Sequence, residues 1–149
     1  MIKCQIKIFY KFLFKAFNIK HILNKYNSYY IFCSSQYIDI FIRALKKNHF
    51  VFTSIINWVK NKPVLTFADY LYKHEPILYG WYKKHKFYKK GVSRSSIWDY
   101  SDYNKNNLHP TMKPIELIKN AILNSTLENM IVYDCFFRFR QYINSLRAY

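Results

Sequence analysis

Apolar residues recur at helical spacing near the start of the chain, with lysines on the opposite side. The stripe consists of Ile6, Tyr10, Leu13, Phe14 and Phe17. This pattern predicts an amphipathic helix. Its apolar side is expected to face the protein core, and a basic helix lying on an anionic membrane surface is the competing interpretation.

Two β-rich runs flank a second helical pattern. The first run covers 29–33, and Ser34 then offers an N-cap for a helix that stops at 46–48, where cations meet the negative end of the helix dipole. Residues 50–59 form the second run. The predicted inward residues of the helix are Tyr37, Ile38, Phe41, Ala44 and Leu45. Strand, helix and strand predict a βαβ unit in a parallel sheet covered by helices, which is an α/β fold.

The composition changes over residues 61–107, which hold both glycines and two of the four prolines. This change predicts an inserted, loop-rich segment. Pro114 then begins a predicted helix through Asn124, because proline suits the first turn of a helix. Residues 130–134 are predicted to form a buried strand that ends in Asp134. No repeat or linker divides the chain, so 1–149 is predicted to be a single domain.

Charge and glycine content narrow the possible chemistry. The 149 residues include 24 Lys and Arg, 8 Asp and Glu and two glycines, with a net charge of +16. A Walker loop or a dinucleotide-binding turn needs several glycines, so both are excluded. The charge favours a polyanionic partner such as DNA. An AT-rich genome, whose codons favour Lys, Asn, Ile, Tyr and Phe, would produce a similar composition.

The cysteines argue against a metal or disulfide framework. Cys4, Cys33 and Cys135 are far apart, odd in number and outside any zinc-binding spacing, which indicates free thiols in a reducing compartment. Lysines interrupt the apolar N-terminal stretch, and no run approaches the roughly 18 apolar residues of a spanning helix. We therefore expect a cytoplasmic protein that binds no metal and no membrane.

Three short strings stand out by their order and spacing. They are IINWVKN at 55–61, KHEPILYG at 73–80 and HPTMKPIEL at 109–117. With them the chain resembles, from about Phe12 to Asp134, the site-specific S-adenosylmethionine-dependent DNA methyltransferases of the amino-methylating class, adenine-specific members in particular. The resemblance implies a partial Rossmann-like, doubly wound fold. It also implies S-adenosyl-L-methionine as cofactor, double-stranded DNA as partner, and methyl transfer to the exocyclic amino group of adenine.

The resemblance implies a cofactor site around the HPTMKP string. Its prolines favour extended backbone that leads into a helix whose free N–H groups can meet a carboxylate. Thr111 and Lys113 would make the polar contacts to the methionine end of the cofactor. The full implied set of cofactor-binding residues is His109, Pro110, Thr111, Lys113, Pro114 and Asp134.

In the same family, the segment that matches 61–107 is the variable target-recognition region. Cations interleaved with aromatic residues suit phosphate contacts and base stacking, and a solvated basic face is the alternative. The implied DNA-binding residues are Lys60, Lys62, Lys73, Lys83, Lys84, Lys86 and Arg94.

His74 and Glu75 form the one acid/base pair among these strings. An imidazole and a carboxylate suit proton transfer or half a metal site, but no further ligand stands at the spacing that a metal would need. The resemblance places the pair beside the cofactor loop, where ordering that loop is a sufficient role. Trp58 is predicted to pack in the core.

Two motifs of the family are missing. Enzymes of this kind hold a flipped base with an Asp-Pro-Pro-Tyr tetrapeptide or a close variant, and no two of the four prolines here are adjacent. In members of this motif order the tetrapeptide precedes the part that matches 12–33, so the chain is expected to begin after it. No catalytic residue is therefore assigned. The glycine loop expected after Asp134 is missing too, and activity is expected to be lost or severely impaired.

Two other functions fit the sequence. One is a non-enzymatic DNA-binding remnant that uses the basic segment 60–94, and salt-sensitive DNA retention without cofactor binding would favour it. The other is a basic amphipathic protein of the membrane surface, which liposome flotation would reveal.

We predict a one-base frameshift in the gene near Phe137. Synonymous codons for 138–148 can be chosen so that the frame one base later encodes GSGSILIACE, a glycine loop followed by a helix. Residues 138–149 would then be an out-of-frame tail. Sequencing of the locus tests this prediction, which fails if no shift restores the glycine loop.

Overall fold

A computed structural model describes residues 2–19, 21–65, 67–88, 94–101 and 113–134, with side chains from residue 9 onward. In chain order its elements are α1 (Ile2–Ala16), β1 (Tyr29–Phe32), a 3₁₀ turn (Ser35–Tyr37), α2 (Ile38–Lys47), β2 (Phe50–Val59), β3 (His74–Tyr82), β4 (Ile97–Asp99) and α3 (Ile115–Ser125). The predictions made for Cys4, His109, Pro110, Thr111, Cys135 and the tail 138–149 fall outside the described residues or side chains.

The strands form one four-stranded sheet in the order β1-β3-β2-β4. Strands β1, β2 and β4 share one direction, and β3 runs against them. The prediction of a parallel sheet was therefore wrong for its centre: β1 and β2 are parallel but are separated by an antiparallel strand. The sheet is mixed.

Strand β3 was missed because its sequence carries signals that disfavour a strand. Pro76 has no N–H to donate to a ladder, and Gly80 has no side chain to pack. Ile77 and Leu78 are nevertheless fully buried, and the carbonyl of Pro76 accepts a hydrogen bond from the N–H of Cys33 at 3.1 Å. The proline keeps its acceptor, and burial of its neighbours outweighs the lost donor.

Helices cover both faces of the sheet, and the doubly wound α/β prediction is confirmed in this part of the chain. One face packs against α1 and α2 through a core that includes Leu13, Ala44 and Leu45. The other face packs against α3, where Leu117 meets Ile77. A three-layer arrangement results.

The predicted helices are confirmed with small changes. Leu13 and Phe17 are buried, so the first stripe is a core face rather than a membrane-binding one. Ser34 accepts from the N–H of Gln36 and caps the 3₁₀ turn that leads into α2, where Ala44 and Leu45 are buried as expected. Tyr37 is instead 41% exposed.

The predicted strand at 130–134 is absent: these residues are irregular and exposed. Ile131 keeps 87% of its side chain in solvent and Tyr133 keeps 55%. A strand needs a neighbour for its backbone hydrogen bonds, and none of the described strands pairs with this run. The apolar pattern was therefore not sufficient to form a strand.

In the part of the chain that the structure describes, three residues other than glycine adopt a left-handed backbone. They are His49, Lys83 and Asn129, with φ between 63° and 65°. His49 joins α2 to β2, and Lys83 follows β3. These positions make short reversals that glycine commonly fills.

Gly80 lies on β3 between its pairing partners on β1 and β2. The hydroxyl of Tyr29, on β1, reaches across β3 and donates to the carbonyl of Val51, on β2, at 3.0 Å. Gly80 pairs with Tyr29 on one side and with Phe52 on the other, next to a register shift in β2. A Cβ at position 80 would overlap both the Val51 carbonyl and the Tyr29 hydroxyl.

We therefore expect Gly80→Ala to lower the free energy of unfolding by about 1–3 kcal/mol, the usual cost of overpacking. Urea denaturation measures this change. Ser54→Ala, at an exposed position of the neighbouring strand, is the control and should change stability by less than about 0.5 kcal/mol. Equal stabilities for the two variants would contradict the close approach.

Candidate functional site

An open cleft of about 950 Å³ lies at the carboxyl ends of β1 and β2. In open α/β sheets, ligands bind in the crevice outside these strand ends. One wall consists of Phe32, Cys33 and Ser34, which end β1, and another of Glu75 and Pro76, which begin β3. The topology therefore brings side chains from two separate segments, residues 32–36 and 60–76, to one edge of the sheet.

An ion cluster occupies this edge, formed by Glu75, Lys60 and Lys113 and called here the Glu75 cluster. The Glu75 carboxylate accepts from the Lys113 ammonium at 2.5 Å and from the Lys60 ammonium at 2.9 Å. All three side chains are 20–24% exposed. The carboxylate therefore links the end of β2, the start of β3 and the residue before the α3 cap.

Aromatic rings line the side of the cluster that faces α3. The Lys113 Nζ lies 4.5 Å from the centre of the Phe32 ring, and the Lys60 Nζ lies 5.0 Å from that of Trp58. Cations are attracted to the faces of aromatic rings at such distances. Trp58 is 4% exposed, which confirms its predicted place in the core.

Burial alone would raise the pKa of the Glu75 carboxyl, but the ammonium groups of Lys113 and then Lys60 outweigh that effect and hold the pKa below its ordinary value. Glu75 therefore carries a full negative charge at neutral pH. Burial raises the pKa of the nearby Cys33 thiol to about 12, and the negative charge of Glu75 adds to this effect. Cys33 is thus a buried free thiol, as predicted, and stays protonated.

Helix α3 begins directly behind the cluster. Pro114 is its N-cap residue and supplies no side-chain hydrogen bond to the first turn. The N–H groups of that turn lack side-chain capping, and the positive end of the helix dipole points to the same edge of the sheet. The predicted helix from Pro114 is confirmed.

The structure describes three of the six predicted cofactor-binding residues. Lys113 belongs to the Glu75 cluster, and Pro114 follows it as the cap of α3. Asp134 is exposed in the irregular stretch that ends the described chain. His109, Pro110 and Thr111 lie outside the described residues.

The predicted DNA-binding residues divide between the two ends of the sheet. Lys60, Lys62 and Lys73 lie at the cleft end of β2 and β3, whereas Lys83, Lys84 and Lys86 follow the opposite end of β3. A nine-residue strand separates the two groups, which is about 30 Å at ordinary strand rise. Arg94 lies in the stretch before β4, beside a cavity of about 140 Å³ that Phe87 also lines.

The sequence pattern did not reveal the link between these sets. Lys60 was predicted to contact DNA, Lys113 to contact the cofactor and Glu75 to order a loop, but the Glu75 carboxylate binds both ammonium groups. The available signal was the scarcity of acids over 60–94, where only Asp69 and Glu75 oppose the cations. Recognising the link required the neighbouring positions of β2 and β3, where Trp58 pairs with Glu75.

Among the residues that the structure describes, no group of three or more His, Cys, Asp or Glu side chains is placed to hold a metal ion. None of the described helices is both long enough and apolar enough to cross a membrane.

We expect Glu75→Gln to lower the free energy of unfolding at pH 7 by about 1–3 kcal/mol, since it removes charge-assisted hydrogen bonds and leaves two ammonium groups facing each other. The pKa of Glu75 is lowered in the folded chain. Its contribution is therefore full above the ordinary value near 4.5 and disappears as the pH falls through the folded value. Urea denaturation from pH 7 to pH 3 measures the difference between the two proteins.

The control for this experiment is Glu116→Gln on α3. Glu116 is 69% exposed and lies 3.9 Å from Lys119, so its loss should cost less than about 0.5 kcal/mol at every pH. A Glu75→Gln difference that stayed constant down to pH 3 would show that the ionised carboxylate is not what stabilises the cluster.

Comparisons with known proteins agree with the family resemblance that the three strings indicate. A family model described as DNA methylase, of the N6/N4 class, matches residues 5–137. The crystal structure of the M1.HpyAVI-SAM complex is similar at a TM-score of 0.62 and 27% identity, covering 77% of this chain and 60% of that one. The crystal structure of M1.HpyAVI is similar at a TM-score of 0.60 and 25% identity, covering 80% and 59%.

The chain thus spans about 60% of the length of these two solved structures. No curated protein matches it. The family model covers most of the chain. The chain belongs to the N6/N4 DNA methylase family.

Proposed function

We propose that this chain is the cofactor-loop and target-recognition part of an enzyme that transfers a methyl group from S-adenosylmethionine to the exocyclic amino group of adenine in double-stranded DNA. One observation carries the proposal: the Glu75 cluster lies at the carboxyl ends of β1 and β2, and one of its members, Lys113, belongs to the HPTMKP string. A ligand-binding edge and the most specific string of the family therefore coincide.

The chemistry of this edge suits an anionic group such as the carboxylate of the cofactor. Two ammonium groups and one carboxylate leave one net positive charge. The uncapped first turn of α3 adds N–H donors, and the buried indole N–H of Trp58 has no acceptor in the described part of the chain. One similar structure is a SAM complex, which supports the same ligand here.

In this proposal, the cofactor supplies the methyl group, and the residues of this chain bind and orient it. Lys113 holds the carboxylate, and Glu75 positions Lys113 by fixing its ammonium against the start of β3. Lys62 and Lys73, which are exposed at the same end of the sheet, contact DNA phosphates. The choice of adenine rests on the resemblance of the three strings.

The 149 residues contain no Asp-Pro-Pro-Tyr tetrapeptide and no glycine loop after Asp134. We therefore expect methyl transfer by this chain alone to be lost or severely impaired, even where it binds ligands. The second candidate function, DNA binding without catalysis, is favoured by the exposed lysines at both ends of β3. Salt-sensitive DNA retention without any cofactor binding would select it.

We expect S-adenosylhomocysteine to bind this chain weakly or not at all and to bind a version in which the frame after Phe137 is restored, because the glycine loop completes the cofactor site. Calorimetric titration of both proteins measures the difference. In the protein that binds, Lys113→Met should weaken binding by about 10-fold or more, the effect of losing a charge-assisted hydrogen bond.

Lys119→Met is the matched control, since Lys119 lies on α3, is about as exposed as Lys113 (22% against 24%) and pairs with Glu116 rather than with Glu75. It should leave the affinity within about 2-fold, because substitutions away from a site's charged groups usually have small effects. Thermal unfolding checks that both variants fold. Absence of binding by either protein, or equal losses for the two lysine variants, would count against the proposed cofactor site.

A further inference from the structure

The connection between β2 and β3 forms an arm that extends past the cleft edge of the sheet; residues 60–73 are called here the arm. The N–H of Lys60 donates to the carbonyl of Lys73 at 2.8 Å, and the N–H of Val64 donates to that of Tyr72 at 3.0 Å. These bonds continue the pairing of the two strands beyond the sheet. The base of the arm is thereby held in place as far as Val64 and Tyr72.

The tip of the arm exposes large apolar side chains. Phe67 is fully exposed, Tyr70 is 89% exposed and Leu65 is 85% exposed. Single exposed apolar residues are ordinary on a protein surface, but several on one tip mark a binding surface. Tyr70 and Phe67 also line the cleft described above, so the tip adjoins the candidate cofactor site.

The charges of the arm complement a polyanion. Lys62 and Lys73 are exposed near its base, while Asp69 is the one acidic residue within 60–73. Cations at the base with aromatic rings at the tip are the arrangement in which lysines contact phosphates and rings stack on bases. The lysines beyond the other end of β3 are about 30 Å away and have no part in this surface.

We propose that the arm binds DNA by placing Phe67 and Tyr70 against base faces next to the target nucleotide, with Lys62 and Lys73 on the flanking phosphates. This inference rests on the proposed function and deepens it. Apolar side chains that enter a base step unstack it, and a displaced base would lie beside the cleft that holds the cofactor. The arm would thus couple DNA binding to exposure of the target base.

A double-stranded oligonucleotide that carries 2-aminopurine tests the proposal, because fluorescence of this base rises when it unstacks. The full chain should bind the duplex and increase the fluorescence. Combined Phe67→Ser and Tyr70→Ser should weaken binding by about 10-fold or more and abolish the increase. Tyr133→Ser is the control, since Tyr133 is an exposed aromatic residue outside the arm, and it should change neither quantity.

Combined Lys62→Ala and Lys73→Ala should weaken binding and reduce its dependence on salt, by a slope of about one per lost phosphate contact. An unchanged fluorescence increase in the Phe67 and Tyr70 variant would overturn the proposal, as would failure of the unmodified chain to bind the duplex. Stronger binding to phosphatidylserine vesicles than to DNA, lost in the same variant, would assign the arm to membranes instead. Titration of S-adenosylhomocysteine with the frame-restored version that carries the same Phe67 and Tyr70 substitutions separates the outcomes. Retained cofactor binding with no effect on DNA refutes the arm and leaves the proposed function standing.

Discussion

The arrangement of the candidate site depends on one partly buried carboxylate between two ammonium groups. Glu75 is the first inward residue of β3, and it binds a lysine that follows β2 and another that precedes α3. Removing water from a charge is costly unless partners replace it, and here the partners come from segments that are far apart in sequence. The interaction therefore fixes the relative positions of the three segments that surround the cleft.

The central position of β3 explains how the two faces of the sheet are kept together. Its inward residues alternate between the α1–α2 core and the α3 core, with Leu78 in one and Ile77 in the other. Strands β1 and β2 are parallel but do not pair with each other, and each is hydrogen-bonded to β3. This explains why a segment with the composition of a loop is the most buried strand of the sheet.

Local patterns were sufficient to predict the helices and the two strands β1 and β2, because spacing and capping are properties of neighbouring residues. The bounds of β2 and the start of α3 at Pro114 followed directly. Strand β3 could not be predicted in this way, since Pro76 and Gly80 act locally as strand breakers and only contacts with Cys33 and Tyr29 explain them. The run at 130–134 shows the opposite case, in which strand-like residues have no partner. Likewise, the predicted DNA-binding lysines are close in sequence but lie at opposite ends of β3, because nine residues of extended chain separate them.

The three left-handed residues have a consequence for how this fold accommodates an unusual composition. Glycine is the residue that adopts this backbone without steric cost, whereas other L-residues lose about 1–2 kcal/mol there. His49, Lys83 and Asn129 occupy such positions in a chain with only two glycines. The fold thus makes these three reversals without glycine, at a steric cost that glycine would avoid.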